Sequence, residues 1–152
     1  MIQRVQSIWL FLAGITICCL LFIPIISTND SLVEYYIIAS GLYKKTSGGT
    51  MKIESFLPLL ISTIATALMC FVNIFNFKKR NVQKRFIMAN MALVIGLSFW
   101  NSIYAKKIPG GTAVIEYGIG MFLPITAIVF LLLALKGINS DEKLLRSADR
   151  LR

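Results

Sequence analysis

Four apolar blocks divide the chain: Ile8 to Ile26, Phe56 to Phe77, Phe86 to Tyr104 and Tyr117 to Leu135. None contains Asp, Glu, Lys, Arg or His. Each is close to the ~20 residues that an α-helix needs to cross a hydrocarbon core about 30 Å thick. None carries the polar stripe that a helix of a soluble protein turns to water. The pattern predicts an all-α membrane protein, a four-transmembrane-helix bundle forming a single domain over residues 1–152. Its helices lie over 8–26, 56–77, 86–104 and 117–135, with outer loops 27–55 and 105–116 and an inner loop 78–85.

Between the blocks the pattern changes. SLVEYYIIASGLYKK and TMKIESF in the first outer loop are rich in Tyr, Ile and Val and are separated by TSGG, which reads as a hairpin turn. The second outer loop turns at PGG and continues as TAVIEYG. Three short strands satisfy one another's backbone groups where a lone hairpin is marginal, so a small extracytoplasmic β-sheet built from both loops is expected.

The tail 139–152 has a third pattern. On a helix, Leu144, Leu145, Ala148 and Leu151 fall on one arc of about 120°, with Lys143, Arg146 and Arg150 opposite. Asn139 can cap such a helix, with Asp141 and Glu142 in its first turn. A short, separate amphipathic C-terminal helix is predicted. It is too short to stand alone in water, so the lipid bilayer or a partner's groove must cover its leucines.

Charge orients the chain. The net charge of +9 is distributed so that alternate sides of the blocks hold eleven and five Lys and Arg residues. The eleven lie before the first block, in KKRNVQKR and after the fourth block. The positive-inside rule puts that side, and so both termini, in the cytoplasm. This placement does not call for nucleic acid as a partner except indirectly, through the ribosome. Trp9, Phe75 and Phe77 would mark one interface and Trp100, Tyr104 and Tyr117 the other.

The chemistry inside the blocks is sparse. No block holds the ionisable group that a proton-coupled carrier places at membrane depth. Three cysteines and no histidine offer no His-containing zinc or haem ligand set. No nucleophile–base pair, carboxylate dyad or phosphate-cradling glycine motif stands out, so neither an enzyme nor a cofactor is expected. The residues of note are packing residues. Ser62 and Thr66 form a small polar patch, and Ala92 and Gly96 are a small-xxx-small pair that admits a neighbouring helix. Asn73, Asn76, Asn90 and Asn101 can bond between helices, and Pro124 would bend the fourth helix in its outer third.

The start MIQRVQSIWL and the finish DEKLLRSADRLR together resemble a small, four-helix inner-membrane protein family of unknown function from Bacteroidota. The resemblance covers the whole chain and implies its fold, topology and bacterial origin. Its signature positions correspond here to Gln3, Arg4, Gln6, Asp141, Arg146, Ser147, Asp149, Arg150 and Arg152. Both signatures belong to the inner face, where Gln3 and Gln6 are expected to clamp the tail through Asp149 or Arg150. The functional expectation is a non-catalytic accessory or scaffold subunit of a larger membrane complex, such as protein translocation or assembly machinery. Its partner would be another integral membrane protein or protein complex. The contacts would come from Gln3, Arg4, Gln6, Lys78, Lys79, Arg80, Lys84, Arg85, Leu144, Arg146, Asp149, Arg150, Leu151 and Arg152. The alternative is a small channel or carrier for a neutral solute without proton coupling.

Overall fold

The computed structural model describes residues 3–28, 33–46, 48–106 and 115–149. These form four α-helices and a five-stranded antiparallel sheet. In chain order they are α1 (Gln3–Cys19), β1 (Ile26–Thr28), β2 (Glu34–Ile38), β3 (Gly41–Thr46), β4 (Gly49–Ser55), α2 (Leu57–Phe75), α3 (Arg80–Ala105), β5 (Ile115–Tyr117) and α4 (Leu123–Asp149). Leu57–Phe75, Arg80–Ala105 and the stretch Ile119–Leu144 are long and apolar enough to cross a membrane. At 17 residues, α1 is about 26 Å long, short of a hydrocarbon core of about 30 Å.

The helices pack on one another, with α1 lying between α2 and α4, and α3 meeting α2 and α4 from the other side. One core fills this helical body around Leu10, Ala13, Ile17, Cys70, Ile87, Val94 and Leu131. A second core joins it to the sheet through Leu20, Ile25, Ile37, Leu42, Phe56 and Leu97. Phe56, 1% exposed, stacks on Tyr104 at 3.9 Å between ring centroids, so the start of α2 is held against the end of α3.

The sheet runs β4-β3-β2-β1-β5. The expected TSGG hairpin joins β3 to β4, with Thr46 opposite Gly49. SLVEYYIIASGLYKK divides at Ala39–Ser40 into β2 and β3, because Gly41 takes a φ of +154° that lets Ile38 pair with it across a tight turn. TAVIEYG supplies β5, which lies beside β1 rather than beside the hairpin. The sheet thus ties the α1–α2 and α3–α4 connections to one end of the helical body, and the first turn of α1 and the last turns of α4 lie at the other end.

Three sequence expectations are corrected. The first helix does not run to Ile26. It ends at Cys19, and the chain turns through Leu20–Phe22 before Pro24. Proline cannot donate, and it biases the preceding residue away from helix. Ile25 and Ile26 then find sheet partners in Ile37 and Tyr117.

Pro124 does not bend α4. It is the second residue of that helix, where a missing N–H costs nothing. Gly118 and Gly120 precede the helix and donate their N–H groups to the carbonyls of Ile25 and Pro24 at 3.0 and 3.2 Å. A Cβ on either glycine would lie 2.5–2.6 Å from the Pro24 oxygen.

Finally, the tail is helical but not a separate helix, because α4 continues without a break through Gly137 and Asn139 to Asp149. Its buried positions Ala127, Leu131, Ala134, Ile138 and Asp141 recur every three or four residues, so the packed seam passes straight into the tail. Continuing the intact hydrogen-bond ladder outweighs the ~1 kcal/mol that one glycine costs a helix.

Candidate functional site

At the end away from the sheet, long-range polar contacts bind the four helices together. The Gln6 side-chain amide of α1 donates to the Asp141 carboxylate of α4, and both residues are 7% exposed. Gly137, one turn before Asp141, lies against Gln6, whose Cγ would be 3.0 Å from a Cβ at that position. On the opposite pair of helices the side-chain amide of Asn73 donates to the carbonyl of Gln83 at 3.2 Å. That of Gln83 returns to the carbonyl of Asn73 at 3.5 Å. Lys84 of α3 pairs with Glu142 of α4.

The contact between α1 and the tail is thus Gln6 with Asp141, while the expected pairing of Gln3 and Gln6 with Asp149 or Arg150 involves side chains outside those described. Asp149 lies about 12 Å further along the helix axis at 1.5 Å per residue. Gln3, Arg4, Lys78, Arg146 and Asp149 are placed by their backbone alone, while Arg150, Leu151 and Arg152 lie outside the described residues.

The basic loop separates into different roles. Lys79 and Arg85 are exposed, Lys84 is engaged by Glu142, and Arg80 has a buried Nη1 without a hydrogen-bond partner among the described residues. Leu144 is 55% exposed, and the Ser147 hydroxyl is used on the Leu144 carbonyl of its own helix at 2.8 Å. Sequence reasoning missed the Lys84–Glu142 and Asn73–Gln83 pairs because each rests on packing between helices. The seam running through Ile138 and Asp141 was the available signal that the tail belongs to α4.

The packing candidates also separate. Ser62 and Thr66 do not bridge helices, since their hydroxyls donate to the carbonyls of Leu59 and Ser62 within α2. Asn90 does bridge, its side-chain amide donating to Cys70 Sγ at 2.7 Å. Ala92 and Gly96 face outward. A Cβ at Gly96 would meet nothing within 4 Å, and the surrounding face carries exposed Met88, Leu93, Ile95 and Phe99.

Near the sheet, a groove of about 200 Å³ opens between α3 and the segment leading into α4. Ser98, Asn101, Ser102 and Lys106 of α3 line one side and Tyr117 and Met121 the other. Asn101 is 7% exposed, and its buried Oδ1 has no hydrogen-bond partner among the described residues. A buried polar oxygen left unpaired costs ~1–3 kcal/mol. The Ser98 hydroxyl is committed to the Val94 carbonyl at 3.0 Å. Among the described residues, no three His, Cys, Asp or Glu side chains converge as a metal site would require.

The chain belongs to the family described as Domain of unknown function (DUF4293), whose model matches residues 2–151. Comparison with curated proteins returns no match.

Proposed function

We propose that this member of the DUF4293 family is a non-catalytic accessory or scaffold subunit of a larger bacterial inner-membrane complex. In this reading all four helices span the bilayer, both termini are cytoplasmic, and the sheet lies outside. The outward side chains Val5, Ile8, Phe11 and Ile15 make the lipid-facing side of α1 as apolar as those of its longer neighbours. The turns after Cys19 extend its apolar path to Ile23. The charge asymmetry of eleven against five supports the orientation.

The observation that carries the accessory role is the open face of α3 at Ala92 and Gly96. Small residues in a membrane helix let another helix approach closely, and association there is driven by packing rather than by hydrophobic transfer. The end of α4, with Leu144 exposed beside Lys143, supplies a second contact at the cytoplasmic surface. Protein translocation or assembly machinery suits a partner that meets a basic cytoplasmic face.

Purification of the full chain in mild detergent, with mass spectrometry of the co-eluting proteins, tests this. A stoichiometric partner that is lost in Gly96→Leu and weakened by deletion of residues 144–152 supports the role. A solitary oligomer that conducts a neutral solute in liposomes would replace it with the carrier reading.

A further inference from the structure

The face of α4 turned away from its buried seam changes character in a single step. Leu132 and Leu135 are followed there by Lys136, Asn139, Ser140 and Lys143, and these six side chains line a surface depression of about 450 Å³. All but Leu135 are exposed. At 100° per residue they fall within an arc of about 140°, with Lys136 about 6 Å beyond Leu132 along the axis and Lys143 about 10.5 Å beyond Lys136. A second depression, of about 340 Å³, shares Asn139 and Lys143 and is lined also by Glu142 and by Lys84 of α3. Glu142 is the one acidic side chain lining either depression among the described residues, and it is taken up by Lys84. Neither Lys136 nor Lys143 stands in an ion pair among the described residues.

A ligand that uses the whole face carries a negative charge and a hydrocarbon chain in one molecule. A free anion would use only the lysines, and a lipid of no net charge would leave their charge unanswered. We propose that this face of α4 is a binding site for an anionic phospholipid. Its phosphate lies between Lys136 and Lys143, the Asn139 amide and Ser140 hydroxyl donate to phosphate oxygens, and an acyl chain runs along Leu135 and Leu132. Basic pockets at the ends of membrane helices hold anionic headgroups in this way. The inference rests on the membrane-spanning reading, which puts the step from Leu135 to Lys136 at the boundary between hydrocarbon and headgroups.

The test uses the full chain in mild detergent, offered equal amounts of phosphatidylglycerol and phosphatidylcholine with matched chains. Native mass spectrometry reads the lipid retained. A lysine near an anionic headgroup is worth about fivefold in affinity, so the two together should give about 25-fold preference for phosphatidylglycerol. Lys136→Gln and Lys143→Gln should each lower the preference about fivefold, and together they should erase it. Lys79→Gln with Arg85→Gln removes two exposed charges from the same end of the helical body and should leave it unchanged. Glycerol 3-phosphate in large excess should not displace the lipid, because it has no chain to lay on Leu132 and Leu135.

Equal retention of the two lipids by the wild-type protein overturns the proposal. So does a loss of preference in the Lys79 and Arg85 variant as large as in the Lys136 and Lys143 one, since the attraction would then belong to the whole basic face. Displacement by glycerol 3-phosphate would make this a site for a free anion. A co-purifying acidic protein that leaves no lipid bound would make it a protein contact, and either result ends the lipid assignment. Release of the chain from carbonate-washed membranes would defeat the membrane reading itself. Retention there without a lipid preference defeats only this site.

Discussion

The side-chain amide of Gln6 donates to the carboxylate of Asp141, joining residues 135 positions apart in a place where both are almost wholly buried. The contact fixes the level of α1 against α4, and Gly137 supplies the room for it. The other carboxylate oxygen, Oδ1, is buried and has no hydrogen-bond partner among the described residues.

Removing the Gln6 amide should therefore leave a buried carboxylate without its donor. Gln6→Leu is expected to lower stability by about 1.5–3 kcal/mol, the range for a hydrogen bond to a charged group. Asp141→Asn keeps an acceptor and removes the charge, so its loss should be smaller. Thermal unfolding in detergent measures both. A Gln6→Leu protein as stable as wild type would show that the pair contributes nothing.

Two glycines on the apolar helices should respond in opposite directions. A Cβ at Gly14 would lie 2.8 Å from the Phe71 ring, across the α1–α2 contact. Gly14→Ala is expected to cost about 1–3 kcal/mol through overpacking. Gly96→Ala meets open space and should raise stability by up to ~1 kcal/mol through helix propensity alone. The same unfolding assay compares them, and equal effects would contradict the assigned faces.

Orientation can be read chemically. With Cys18, Cys19 and Cys70 replaced by alanine, Met51→Cys on the exposed strand β4 should react with a membrane-impermeant thiol reagent in intact cells. Lys79→Cys should react only after the membrane is permeabilised. Reversal of the two would invert the proposed topology.

On the sheet, Lys45 bonds to Glu34 at 3.0 Å, and this hydrogen bond together with the carboxylate's charge holds the Lys45 amine above its ordinary range. The pKa is raised in the folded state. The contribution is therefore fully present below the ordinary lysine value of ~10.4 and is lost as pH rises through the raised one. Glu34→Gln should bring the Lys45 titration back down, as followed by NMR of the labelled side chain. The pair is solvent-exposed, so the effect on overall stability should be slight and should fade in high salt.

What the sequence determined by itself was composition over distance. Uncharged runs of helix-spanning length identified α2, α3 and most of α4, and alternating Tyr, Ile and Val around TSGG identified the β3–β4 hairpin. These are local properties, legible because burial on a helix or a strand repeats with a fixed period. The tertiary structure decided whatever depended on a distant partner. Ile25 and Ile26 look the same in a helix or a strand until Ile37 and Tyr117 are brought beside them. Asn139 can cap a helix, but the ladder of α4 runs through it because Ile138 and Asp141 pack on α1 and its neighbours. The pairing of Gln6 with Asp141 and the unpaired Asn101 oxygen came from packing alone, since a hydrogen bond between remote residues leaves no periodicity in the chain that makes it.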